Sequence, residues 1–153
     1  ERVGDHAVNI AQSAQRLIAE RSTIIPDPEI EDMARRARAM LSDALDAFAR
    51  FDADLALSVA QYDKIIDREY KTALRELATY MMEDPRSISR VLSIIWVLRS
   101  LERIGDHARN ISELVIYLVR GTDVRHMGLK RMKEEVEGTL SETANVPGET
   151  DDK

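Results

Sequence analysis

At 153 residues the chain is long enough for one ordinary domain with a proper core, and its low aromatic content (5%), six Gly and four Pro suit a helical bundle far better than a sheet protein. The absence of Cys excludes disulfides and thiolate metal sites, and a formal charge of −6 argues against nucleic acid, whose phosphates need a net basic surface. The longest apolar run, Ile94 to Leu98, is far too short to span a bilayer and no signal-like segment stands out, so the sequence reads as soluble and intracellular.

Apolar residues at Val3, Ala7, Ile10, Ala14 and Leu17, widened by Ala11 and Ile18, mark one face of a helix over residues 1–21. The stretch STIIPDPE (22–29) is a proline-stiffened linker, and Asp27 with Pro28 offers a cap and first turn for a second helix over 29–50. Its stripe is Ile30, Met33, Ala37, Leu41, Ala44, Leu45 and Phe48. After a weak break at 50–53, a third helix runs over 54–82 with Leu55, Val59, Tyr62, Ile66, Tyr70, Ala73, Leu77 and Met81 in period. Pro85 ends it, because proline disfavours helix at the residue before it. Ser87 is placed to cap a long helix over 87–120, closed by Gly121. Beyond Gly121 the residues 121–153 read as a polar tail, with a short turn available through Leu129, Met132 and Val136.

The decapeptide ERVGDHAVNI (1–10) returns as ERIGDHARNI (102–111), differing only at Val3/Ile104 and Val8/Arg109. An offset of 101 residues makes the repeating unit a three-helix hairpin. The chain is thus expected to be all-α: an antiparallel three-helix bundle over 29–120, preceded at 1–21 by the last helix of a preceding repeat. Beginning inside a repeat without Met suggests a piece of something longer. With its own partner helices missing, the 1–21 stripe is expected to be covered by the 29–120 bundle or by a second copy, and a homodimer through this helix is the simplest pairing.

Inside the repeat, Glu102, Asp106 and Asn110 share one helical face, as do Glu1, Asp5 and Asn9. A second acidic pair, Asp63 and Asp67, also stands four residues apart. In an antiparallel hairpin folded about Asp84 and Pro85, positions adding to 169 lie at one height, which pairs Asp67 with Glu102 and Asp63 with Asp106, about 26 Å from the turn. Four carboxylates so close require protons, Arg or Lys, or a metal. Hard oxygen ligands suit Mg²⁺, Ca²⁺, Mn²⁺ or iron, and the competing reading is a salt-bridge ladder through Lys64, Arg68, Arg99 and Arg103. Gly4 and Gly105 either pack against a neighbouring helix or let ions approach the backbone. His6 and His107 flank the apolar stripe and read as partly buried, hydrogen-bonded residues, with metal ligation as the alternative, while Trp96, Phe48 and Phe51 fall at core or helix-contact positions.

The stretches ALDAFARFD (44–52), YDKIIDREY (62–70), TYMMEDPRSI (79–88) and RSLERIGDHARNI (99–111) resemble the PhoU family of phosphate-signalling regulators, from residue 1 to about 128. The resemblance implies a protein of two three-helix units, each with carboxylate motifs that bind metal. It also implies a cytoplasmic, non-catalytic role linking a phosphate-import ABC transporter, through its ATPase subunit, to a sensor histidine kinase that controls phosphate-starvation genes. Carried over by position, Asp63, Asp67, Glu102 and Asp106 are the second-unit metal residues, and Glu1 and Asp5 are half of a first-unit site. Asn9 and Asn110 stand one turn on as hydrogen-bonding neighbours. The ions to expect are iron, manganese, magnesium or zinc. The alternatives are a di-metal carboxylate oxidase, whose Glu-x-x-His pairs this sequence lacks, and a purely structural bundle.

Overall fold

The computed structural model describes residues 1–19 and 28–138, and every regular element among them is helical. In chain order these are α1 (Arg2–Ala19), α2 (Pro28–Arg50), α3 (Ala53–Glu83), a 3₁₀ turn at Pro85–Ser87, α4 (Ile88–Arg120) and α5 (Leu129–Val136). The proline linker, the Asp27 cap and the far end of the 121–153 tail lie outside the described residues.

Two tight joints fold α2, α3 and α4 into a bundle. At the first, Phe51 takes a left-handed conformation (φ 53°), and the Asp52 N–H reaches back to the Ala47 carbonyl at 3.0 Å. The Asp52 carboxylate then accepts from the Leu55 N–H at 2.9 Å, closing one helix and opening the next. At the second joint the Asp84 carboxylate accepts from the Arg86 N–H at 3.0 Å. Ser87, expected to cap α4 with its side chain, instead donates its hydroxyl to the Asp84 carbonyl at 2.6 Å, because the 3₁₀ turn places Asp84 first. Gly121 ends α4 in the left-handed region (φ 77°), where a residue without Cβ fits at no steric cost.

The core of the bundle is built from Met33, Ala37, Met40 and Ala44 of α2, Val59, Ile66 and Ala73 of α3, and Leu98, Leu101, Ile104 and Ala108 of α4. The buried line of α2 runs through Met33, Ala37, Met40, Ala44 and Ala47, so alanines face the neighbouring helices and permit close approach. The bulkier Leu45, Phe48 and Tyr62, expected in the stripes, are consequently left on exposed flanks. Trp96 is likewise exposed, at 60%.

Helix α1 packs on α4 and on no other element among the described residues. Leu17 and Ser13 are buried there, and Val3 and Ile10 rest against the bundle core. The buried face is turned from the expected one: His6 and Ser13 point inward, while Ala7, Ala11 and Ile18 (70% exposed) point out. Val3, Ile10 and Leu17 are therefore covered by the bundle of the same chain, one of the two covers expected for this stripe, while Ile18 stays exposed.

Of the segment after Gly121, the described residues up to 138 are packed, and the short turn expected through Leu129, Met132 and Val136 is α5. Val124, Met132 and Val136 are fully buried and close the end of the bundle over Ala56, Leu57, Ala60, Val115 and Ile116. The Arg120 guanidinium donates to the Val136 carbonyl, and the Thr122 hydroxyl donates to the Glu135 carboxylate at 2.7 Å, tying α5 to the end of α4. No helix among the described residues is long and apolar enough to cross a membrane.

Candidate functional site

The α3–α4 hairpin brings Asp63 and Asp67 against Asp106. One oxygen from each of the three carboxylates lies within 4.8 Å of the others, with Asp63 buried and the other two half-buried. An ion with ligands at about 2.1–2.5 Å sets its coordinating oxygens roughly 3–5 Å apart, so this spacing accommodates one hard cation after small rotamer changes.

Glu102, the fourth residue expected here, is turned aside. Its Oε1 accepts from Arg99 at 2.9 Å, one turn back on the same helix, where the longer Glu side chain reaches readily. The Arg99 guanidinium is itself held over the Tyr70 ring, 5.7 Å from its centroid. The other oxygen, Oε2, is buried, 4.0 Å from Arg103 Nε, and accepts no hydrogen bond among the described residues. An orphaned buried carboxylate oxygen beside three converging carboxylates is an acceptor still to be satisfied, by a proton donor or a cation.

The cations around the cluster differ in part from those expected. Arg99 and Arg103 do engage carboxylates, Arg103 pairing with Asp106 at 3.1 Å, but along α4 rather than between helices. Neither Lys64 nor Arg68 forms an ion pair with a cluster carboxylate, and Asp67 makes no hydrogen bond or ion pair among the described residues. The pair that crosses from α4 to α3 is Arg109 Nη1 to Asp63 Oδ2 at 3.0 Å, with Arg109 Nε also donating to Glu113 at 2.9 Å. Sequence reasoning missed both Arg109 and the buried Glu113. Two signals were available: Arg109 is one of the two positions at which the decapeptide copies differ, and Glu113 lies four residues on along the same helix face.

Burial pushes the Asp63 carboxyl above the usual aspartate range, opposed by its bond to Arg109 and reinforced by Asp67 and Asp106. Burial likewise raises Glu102, reinforced by the charge of Asp106 and opposed by Arg99 and Arg103. Asp63, Glu102, Asp106 and Glu113 are paired with the guanidiniums of Arg99, Arg103 and Arg109, while Asp67 shares a groove with Lys64, Arg68 and Lys71. The chemistry of the donor set and the orphaned Glu102 oxygen both fit a divalent hard ion held by Asp63, Asp67 and Asp106.

Among the described residues the first copy of the motif brings no comparable group together: Glu1, just before α1, and Asp5 and Asn9 on it are all exposed, and neither acid belongs to a potential metal-binding group. Asn110 is exposed as well and lines a groove beside Glu113, Tyr117 and Arg125, away from the three carboxylates. Gly105 is buried over the cluster, yet a Cβ there would meet Ile66 Cδ1 at 3.5 Å and Asp63 Oδ1 at 3.8 Å, which is ordinary contact. Close approach therefore does not demand glycine at that position, and at Gly4 nothing lies within 4 Å of the corresponding place.

The likeness to known proteins takes in these two helices and α2. Residues 30–115 match the family model described as the PhoU domain. The chain is 72% identical over 156 aligned positions to a phosphate-specific transport system accessory protein PhoU homolog from Pseudomonas putida, covering 100% of this chain and 61% of the relative. It is 43% identical over 128 positions to the phosphate-specific transport system accessory protein PhoU of Escherichia coli K12, covering 84% of this chain and 53% of that protein. The crystal structure of PhoU from Pseudomonas aeruginosa superposes with a TM-score of 0.77 at 68% identity, over 80% of this chain and 58% of that one. The chain thus spans between about half and 61% of the length of these curated relatives. Since the matched domain takes in α3 and nearly all of α4, with every residue of the carboxylate cluster, the chain belongs to the PhoU family.

Proposed function

We propose that the protein containing this chain is a non-catalytic accessory regulator of phosphate transport, and that Asp63, Asp67 and Asp106 form a structural site for a divalent metal ion in its second helical unit. The observation that carries the metal reading is the convergence of three carboxylate oxygens from two helices within 4.8 Å. A bound ion would supply positive charge that fixes the α3–α4 register at mid-height, and the chain's own task is to hold it with hard oxygen donors. The regulatory reading is supported by the relatives, which are accessory proteins of the phosphate-specific transport system. Its partners are then the ATPase subunit of a phosphate-import ABC transporter and a sensor histidine kinase, both engaged from the cytoplasm.

The donor set favours this reading over a di-metal oxidase. Such enzymes direct Glu-x-x-His pairs into a bundle core, whereas these three aspartates lie at the junction of two helices with no imidazole among them. The test is complementation. In a host lacking its own regulator, the intact parent protein is expected to repress a phosphate-starvation reporter at high phosphate. Reporter output equal to that of the empty-vector strain contradicts the regulatory assignment.

A further inference from the structure

We propose that Arg109 is the built-in counter-ion of the carboxylate site: its guanidinium holds Asp63 while the site lacks metal, and passes wholly to Glu113 when a divalent cation enters. This rests on the metal reading of the Asp63, Asp67 and Asp106 cluster.

Three observations support the exchange. Asp63 and Glu113 are the two most buried carboxylates of the network, 2% and 5% exposed, and a charge so placed is costly without a partner. Arg109 serves both, through different nitrogens of one planar fork, at 3.0 Å and 2.9 Å. Because Glu113 lies four residues on along α4, Arg109 can release Asp63 and remain paired, without exposing a lone buried cation. Its side chain is also 32% exposed, so the guanidinium has room to swing. At the equivalent position of the first decapeptide copy stands Val8, exposed and unable to act this way.

The energetics set the direction of the effect. A divalent ion bound to Asp63 would lie within a few ångströms of the guanidinium, and like charges at that distance repel substantially even at an effective dielectric near 20. The metal and Arg109 therefore compete for one carboxylate. Occupancy at Asp63 is coupled, by reciprocal linkage, to the strength of the Arg109–Glu113 pair at the groove lined by Asn110, Glu113 and Tyr117.

The experiment is calorimetric titration of the 153-residue chain with Mn²⁺, using wild type, R109Q, E113Q and D63N/D106N, each checked for helicity by circular dichroism. Glutamine keeps a hydrogen-bonding head without charge, so R109Q is expected to bind Mn²⁺ on the order of tenfold more tightly than wild type. E113Q removes the alternative partner and is expected to bind more weakly. Wild-type or weaker affinity in R109Q overturns the competition. Should R109Q not fold, unchanged or tighter binding by E113Q overturns it instead. If wild type binds Mn²⁺ and R109Q matches it, the inference fails while the metal reading stands. If neither binds more Mn²⁺ than D63N/D106N, the metal reading fails and the inference with it.

Discussion

The rings of His6 and His107, equivalent positions of the two decapeptide copies, lie 5.5 Å apart across the α1–α4 contact. Burial lowers the His6 pKa below 6.5, and His107 and Arg103 lower it further, against a smaller opposing pull from Asp5. Between the folded-state value and 6.5 the unfolded chain binds more protons than the folded one, so stability rises with pH through that window. Acidification is therefore expected to loosen α1. Amide hydrogen exchange, corrected for intrinsic rates, should show lower protection in residues 2–19 at pH 5.5 than at pH 7.5, and His6→Phe should flatten the difference. Equal protection of wild-type α1 at both pH values would count against His6 as the titrating contact.

Phe51 is an aromatic residue held at φ 53° with its ring exposed, stacked loosely on Phe48 at 6.4 Å. Such a backbone costs about 1–2 kcal/mol for an L-residue and nothing for glycine, while glycine loses roughly 0.5–1 kcal/mol more chain entropy on folding. Phe51→Gly is expected to raise stability by about 0.5–1 kcal/mol in urea denaturation, a small net gain. A loss of stability would mean that the ring contact outweighs the backbone relief.

Gly105 offers a parallel case without backbone strain. Alanine in a helix interior is favoured over glycine by about 1 kcal/mol, and the added Cβ would make ordinary contact with Ile66. Gly105→Ala should stabilise the fold by roughly 0.5–1 kcal/mol. Destabilisation would show that the α3–α4 separation cannot accept a methyl group.

Much of this fold was legible in the sequence, and the places where it was not share a cause. The 3.6-residue period, the prolines and Gly121 placed every long helix, because those signals are local. Which residues of each helix face inward depends on how closely the neighbours approach. In α2 Ala37 and Ala44 face inward as their period predicts, but Met40 and Ala47 complete the buried line where Leu45 and Phe48 were expected. The candidate site followed the same division. Pairing heights predicted the meeting of Asp63 with Asp106, since helical rise fixes register. They could not predict that Glu102 would turn to Arg99 or that Arg109 would reach across to Asp63, because those outcomes depend on side-chain rotamers and competition among charges.

The end of the bundle supplies a stability test remote from the site. Met132 is fully buried between α5 and the residues of α3 and α4 that it covers. Met132→Ala is expected to cost about 2–4 kcal/mol by chemical denaturation, the usual range for truncating a buried methionine. A change below about 0.5 kcal/mol would show that α5 is not part of the cooperative core.

The claim that three aspartates from two helices hold one divalent ion is tested most directly by locating that ion. Crystals of the chain grown with Mn²⁺ should give an anomalous difference peak at the manganese edge, about 2.1–2.5 Å from carboxylate oxygens of Asp63, Asp67 and Asp106. A map with no peak there, or with manganese only on the exposed acids Glu1 and Asp5 of α1, would contradict it.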